Sequence, residues 1–327
     1  MVLKIEIEKN PEPIFTPRNF PHTLSIRNPG ATIYAGEIVL LLTIRNGDNK
    51  SDIYRAINPT GDGKTFLIQT PAFIPREPNR DSPEATEDPR VVWDPISKSY
   101  LITYTAFKGC ENNENTTRIE LATTDEFKKL KKRKIILDEY GNNKNCVIWV
   151  NKETKTYWIY HRPFSHKGKI LKNPPIRLAS SKDLEEFKDE GIFLEPRAEY
   201  WDEARVGMNT PPILIRHPEH GECLFDLYHG ADKDNIYRIG YVLIDPENPK
   251  KWLERSEEPL LSPDQDFEKG TGKYSAEVKN VVFGQGAIPI SKNKIRIYYA
   301  GADMHTNFAD LTIQNIEILD EIFEIVT

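Results

Sequence analysis

Glu87-Asp88-Pro89-Arg90 runs straight into the apolar stretch Val91-Val92-Trp93. Strand cores seldom begin with three charged residues in four. A carboxyl group at such a lip can act as a general acid if burial keeps it protonated. The plain alternative for Asp88 is a structural carboxylate paired with Arg90. Further along, five strand-like segments end near Arg45, Lys108, Arg162, His229 and Asp303. Any one of these could be polar simply because strand ends meet water. Five at one register, several beside aromatic residues and ahead of Gly or Pro turns, fit a sugar better. A pyranose offers C–H faces to aromatic rings and hydroxyls to polar groups.

Bringing such residues together requires a repeat. Segments 38–46, 100–109, 157–163, 223–230 and 295–303 are rich in aromatic and β-branched residues with strand alternation. Each is followed by a loop and a second strand, at 51–58, 117–124, 176–181, 235–244 and 309–318. No long amphipathic helix interrupts the series. Fixed-period antiparallel units predict an all-β fold, a five-bladed β-propeller, as one domain over residues 1–327. In that fold the strand ends converge on one mouth of the central channel. A β-sandwich is the rival, but it does not explain the common order within units.

Composition excludes several classes. The formal net charge of −6 over 327 residues argues against a general nucleic-acid binder. Cys110, Cys146 and Cys223 are far apart and odd in number, so neither a disulfide framework nor a zinc site is expected. The N-terminus alternates apolar and charged residues instead of forming a signal peptide, and no apolar run is long enough to span a bilayer. The expected setting is the cytoplasm, with no membrane partner. Homo-oligomerisation stays open, because the sides of a propeller can pair through patches that leave no motif.

An ordered set of motifs carries a family resemblance. EDPR (87–90), NKNCVIW (143–149), HRP (161–163), RVGMNTPPI (205–213) and YHG (228–230) are followed by YRIGYVLIDPENP (237–249), PLLSP (259–263), EVKNVVF (277–283) and YYAGAD (298–303). The chain resembles glycoside hydrolase family 130, the β-mannoside phosphorylases and β-1,2-mannosidases, which are five-bladed propellers. The resemblance implies inverting phosphorolysis of a β-mannoside to α-mannose 1-phosphate. The substrate would be mannobiose, a manno-oligosaccharide or a mannosyl-glucose. Asp88 would be the catalytic acid, passing its proton through a mannose hydroxyl. Lys144, Arg162, Arg205 and His229 would hold phosphate. Asn28, Arg45, Asn145, Tyr237, Asn280 and Asp303 would contact the sugar. Inorganic phosphate is then a co-substrate, and no metal or organic cofactor is expected. The chain departs from the family at Gly207-Met208-Asn209-Thr210-Pro211, Val278-Lys279-Asn280 and Met304-His305-Thr306. These departures point to Met208, Lys279 and His305 as the lining of an unusual acceptor subsite.

Three rivals follow. An inverting β-1,2-mannosidase needs a carboxylate base about 6.5–9.5 Å from the acid, for which Glu277 and Glu203 are candidates. A carbohydrate-binding propeller would need no acid at all. A furanosidase-type propeller would carry channel carboxylates where this chain carries cations. His217 and His220 are better read as a hairpin turn than as metal ligands.

Overall fold

The computed structural model describes residues 3–76, 85–111, 114–166 and 169–319. They form five small antiparallel sheets and a separate two-stranded one at 165–166 and 169–170. Blade I holds Thr23–Tyr34, Glu37–Asn46, Ser51–Ile57 and Leu67–Ile68. Blade II holds Ala85–Asp94, Ser99–Glu111, Glu114–Thr124 and Lys132–Ile136. Blade III holds Asn143–Asn151, Thr156–Pro163, Ile176–Ser181 and Lys188–Leu194. In blade IV the inner strand is split into Arg205–Met208 and Ile213–His217, both paired with Gly221–Ala231, and Tyr237–Ile244 and Trp252–Arg255 follow. Blade V holds Val282–Ser291, Lys294–Gly301 and His305–Ile313, and its fourth strand is the N-terminal Ile5–Lys9. This is a five-bladed β-propeller. No helix among the described residues is long and apolar enough to cross a membrane.

Strand alternation explains how the blades cohere. In a strand, successive side chains point to opposite faces. In Glu37–Asn46, Val39 and Leu41 join an apolar cluster with blade II, whereas Leu40, Leu42 and Ile44 join one with blade V. In blade III, Tyr157 and Ile159 face blade II and Tyr160 faces blade IV. A further cluster joins blades IV and V. Each strand therefore feeds two inter-blade cores, which is why these segments are apolar on both faces. Inner strands of neighbouring blades touch around the axis. Gly30 and Gly286 permit two of these approaches, since a Cβ would lie 2.5 Å from the Pro89 carbonyl oxygen at Gly30 and 2.4 Å from the Ala31 backbone nitrogen at Gly286.

The ring is closed by pairing Ile5–Lys9 with His305–Ile313, in register from Ile5 opposite Ile313 to Lys9 opposite Ala309. Lys9 Nζ then donates to Asp264 Oδ1 at 2.7 Å and to Glu268 Oε2 at 2.9 Å. Glu268 is fully buried, and its other oxygen accepts from Tyr299 at 2.6 Å. Burial pushes the Glu268 carboxyl up and Lys9 opposes that rise. Removing one partner of a buried pair leaves an uncompensated charge. Lys9→Met is therefore expected to lower unfolding stability by about 3 kcal/mol, read by urea denaturation. Glu268→Gln added to it should recover part of the loss. An unchanged urea midpoint for K9M would remove this ion pair from the closure.

Candidate active site

The inner strands of blades I, II and III share one irregularity. The pairing register slips between Arg27 and Gly30, between Glu87 and Arg90, and between Lys144 and Val147. Within each slip one residue adopts a left-handed backbone: Asn28 (φ 52°), Asp88 (φ 61°) and Asn145 (φ 56°). Asn and Asp tolerate this conformation better than other side chains. The following Pro29 and Pro89 lack an N–H, which costs nothing where the ladder is already broken. A bulge re-aims its side chain away from the alternating pattern. The consequence is a cavity of about 320 Å³ lined by residues from all five blades. Asp88, Lys144, Arg162, Arg205 and His229 line it. So do Asn28, Asn145, Tyr237 and Asp303.

Asp88 is buried at the cavity wall. Asn28 Nδ2 donates to Asp88 Oδ1 at 2.7 Å, and the Asp88 N–H donates to Thr43 Oγ1 at 3.0 Å. Arg90 does not pair with the carboxylate. Its Nη1 donates to the Asp88 backbone oxygen at 3.0 Å. Its remaining donors reach the backbone oxygens of Asn209 (2.8 Å) and Met208 (3.2 Å) and the side-chain oxygen of Asn145 (3.4 Å). Arg90 is therefore a staple for the bulge, and the Asp88 side chain is left to the cavity.

Cations gather on the blade III and IV side. Arg162 Nη1 and Asn145 Nδ2 each lie 3.3 Å from His229 Nε2, and His229 Nδ1 lies 2.7 Å from Asn209 Oδ1. That network assigns the proton to Nδ1 and makes Nε2 an acceptor. Gly207 makes room for it, since a Cβ there would meet the His229 ring at 2.4 Å. Arg205 donates to the Tyr237 hydroxyl and stacks on its ring, and Arg162 stacks on Phe164. Among the described residues no carboxylate pairs with Arg90, Arg162 or Arg205. Burial pushes the Arg162 guanidinium down to about 10; Tyr237 opposes the fall, while Arg205 and Arg90 add to it. Burial, then Arg162, Arg90 and Arg205, hold His229 well below the usual imidazole range, so it is neutral. Such a group of desolvated cations is built to take an oxyanion.

On the other side a ladder of alternating charge crosses four blades. Asp303 pairs with Arg27 at 2.7 Å, Arg27 with Glu87 at 3.4 Å, and Glu87 with Lys144 at 3.2 Å. Burial would raise Glu87, but Lys144 and Arg27 outweigh it and hold the carboxyl below its ordinary value. Burial pushes Asp303 up to about 6; Arg27 opposes this, and Glu277 and Asp88 add to it.

Other expected site residues lie outside the cavity. Arg45 pairs with Glu277 at the rim. The reason is register: opposite Arg27 stands Thr43, and Arg45 is two residues further along the same strand. The side chain of Lys108 lies outside the described residues. Asn280 is left-handed (φ 59°), and its backbone oxygen accepts from the Tyr237 N–H at 3.0 Å. Glu203 accepts from the Glu199 N–H at 3.3 Å in the loop before blade IV. The expected acceptor lining is not assembled. Met208 is buried in the core between blades III and IV. His305 Nε2 bonds the Ser275 oxygen at 3.0 Å beside Phe267 and Tyr274. Lys279 is exposed. His217 Nδ1 accepts from the N–H groups of Glu219 and His220, as in a turn. The lining residues missed in the sequence are Arg27, Glu87, Phe164, Val278, Val281 and Phe283. For Arg27 and Glu87 the signal was a charged residue directly before Asn or Asp, as in Arg27-Asn28 and Glu87-Asp88 and also in Lys144-Asn145.

Fold and cavity define a class, a propeller enzyme acting on a sugar with an anion as second partner, and comparison with known proteins agrees. The family model for β-1,4-mannooligosaccharide phosphorylase, glycoside hydrolase family 130, matches residues 4–322, and the chain belongs to that family. It is 33% identical over 256 residues to the 1,2-β-oligomannan phosphorylase of Thermoanaerobacter sp. (strain X514), covering 78% of this chain and 77% of that one. It is 32% identical over 231 residues to a β-1,2-mannobiose phosphorylase of the same strain, covering 71% and 68%. The solved structure of the Listeria innocua β-1,2-mannobiose phosphorylase superposes with a TM-score of 0.75 at 24% identity, over 98% of this chain and 99% of that one, a likeness of fold.

Asp303 yields a stability prediction. Its folded pKa of about 6 lies above the ordinary Asp value of about 3.9. Between these values the folded protein holds a proton that the unfolded chain has lost. Its contribution to stability is therefore full below pH 4 and declines as pH rises through 6. Asp303→Asn should lack this decline. Urea midpoints of D303N relative to the unmutated protein should rise from pH 4 to 7, and a flat difference would exclude a raised Asp303.

Proposed function

We propose that the protein is an inverting β-mannoside phosphorylase that acts on β-1,2 linkages. It takes a β-mannoside and inorganic phosphate to α-mannose 1-phosphate and the shortened acceptor. One observation carries the reading: the Asp88 carboxyl shares a cavity with Arg162, Arg205 and His229, cationic or basic groups with no carboxylate partner among the described residues. The names of three relatives that are more than 30% identical support the 1,2 linkage.

In this reading Asp88 supplies the proton that leaves with the glycosidic oxygen, by way of a mannose hydroxyl. The bond from the anomeric carbon to that oxygen breaks as a phosphate oxygen bonds the opposite face. Arg162, Arg205, His229 and Lys144 hold the phosphate. Asn145 touches His229 and borders the sugar. Asn28, Tyr237 and Asp303 contact the mannose, with Asn28 also orienting Asp88. Arg45 and Asn280 act from the rim. Hydrolysis would need a base for water, and the two candidates are poorly suited to it. Glu277 is bound to Arg45 and Glu203 is engaged in its own loop, and neither lines the cavity. Phosphate needs no base, since it is already anionic. The setting is the cytoplasm, which supplies that phosphate, and the five blades act as one catalytic unit.

Incubation with β-1,2- and β-1,4-mannobiose, each with and without phosphate, tests the reading. Mannose 1-phosphate should form from the β-1,2 disaccharide only when phosphate is present. Free mannose produced without phosphate would overturn it in favour of a mannosidase. Asp88→Asn should reduce turnover by about 10²–10⁴-fold while leaving the thermal midpoint near that of the unmutated protein. Arg162→Met separates stability from binding. It removes a buried charge with no acidic partner, so the midpoint without phosphate should hold or rise. The rise in midpoint that phosphate gives the unmutated protein should disappear. A retained phosphate response in R162M would move the anion elsewhere.

A further inference from the structure

Glu87 is a half-buried carboxylate beside Asp88, and neither proton donation nor sugar contact accounts for it. Its two oxygens divide their partners. Oε1 takes Lys144 Nζ at 3.2 Å, and Oε2 takes Arg27 Nη2 at 3.4 Å. Lys144 is the junction between the two halves of the cavity. The ladder Asp303–Arg27–Glu87–Lys144 sums to zero charge, one sign cancelling the other along its length. In the remaining anion-binding set, burial with Arg205 and Arg90 pushes Arg162 down, and burial with Arg162, Arg90 and Arg205 pushes His229 down. Glu87 therefore reaches the anion half of the cavity through Lys144.

We infer that Glu87 is a positioning residue that attenuates anion binding: it holds Lys144 on the ladder side and opposes the charge of any phosphate beside it. The inference rests on the phosphorylase reading of the same cavity. A site with three cations, a neutral imidazole and no opposing carboxylate would grip phosphate strongly, and would grip the dianionic sugar phosphate it produces just as strongly. Release of that product would then limit turnover. A carboxylate paired with one of the three cations weakens both complexes together. An ordinary structural carboxylate predicts the reverse, because its loss would let Lys144 and Arg27 wander and would weaken the phosphate site.

Titration calorimetry of inorganic phosphate against the full-length protein and Glu87→Gln separates the two. Removing one negative charge next to a partly buried dianion should tighten phosphate by about tenfold, while turnover in phosphorolysis falls. Equal or weaker phosphate binding in a folded E87Q overturns the inference and leaves the phosphorylase reading standing. An unmutated protein that binds no phosphate overturns both. Should E87Q fail to fold, Glu87→Ala carries the same expectation of tighter phosphate.

Discussion

A break in the inner strands of blades I, II and III is the constraint on which the mouth of this propeller depends. Regular alternation sends the apolar side chains of the strands into one inter-blade core or the other. The left-handed turns at Asn28, Asp88 and Asn145 remove three side chains from that alternation. Such a conformation costs of the order of 1–2 kcal/mol per residue, so something must hold it. Arg90 does so from blade II, bonding the Asp88 backbone, the 208–209 backbone of blade IV and the Asn145 side chain of blade III. The contacts close on themselves. Arg90 bonds Asn145, Asn145 bonds His229, His229 bonds Asn209, and the Asn209 backbone returns to Arg90. Asp88 and His229 are thus fixed by one guanidinium, that of Arg90.

The overall charge of −6 is no guide to this site, because the relevant charges are segregated within it. The ladder half is compensated internally and stays inexpensive without ligand. The opposite half is not: Arg162 is forced down to about 10 and His229 is kept neutral by burial among cations. That half holds buried charge with no carboxylate partner among the described residues. Stability and activity pull apart here, a familiar tension in sites built for charged ligands.

The propeller was legible because alternation and aromatic content recur five times in strands buried on both faces. The second strands of the blades gave that signal. The inner strands were harder to read, since Asn28-Pro29-Gly30, Asp88-Pro89 and Met208-Asn209-Thr210-Pro211 interrupt the very pattern that marks a strand. The motifs of a known family therefore located Asp88, Asn145 and Lys144, where periodicity could not. Reasoning from strand ends leads to Arg162 and His229, which line the cavity, and to Arg45, which lies at its rim. A two-residue error in register moves a side chain by nearly 7 Å along a strand, far enough to leave the cavity for the rim. Ile5–Lys9 was visible as an alternating segment, but its place in the last blade depends on pairing across the whole chain, which no local pattern reveals.

Blade V shows what happens when the break shifts. Its left-handed residue, Asn280, precedes the strand Val282–Ser291 instead of lying within it. The charged residue before it, Lys279, is accordingly left exposed and does not extend the ladder. Val278, Val281 and Phe283 line the cavity in its place, with the Phe283 ring 4.6 Å from that of His229. Blade V thus adds an apolar wall beside its one polar lining residue, Asp303. A pyranose, with hydroxyls at its edge and C–H groups on its faces, is asymmetric in the same sense. Fivefold repetition alone would give a ring of equivalent groups suited to an ion on the axis; displacement of one bulge is enough to give the mouth a polar side and an apolar side, and so a way to orient a sugar.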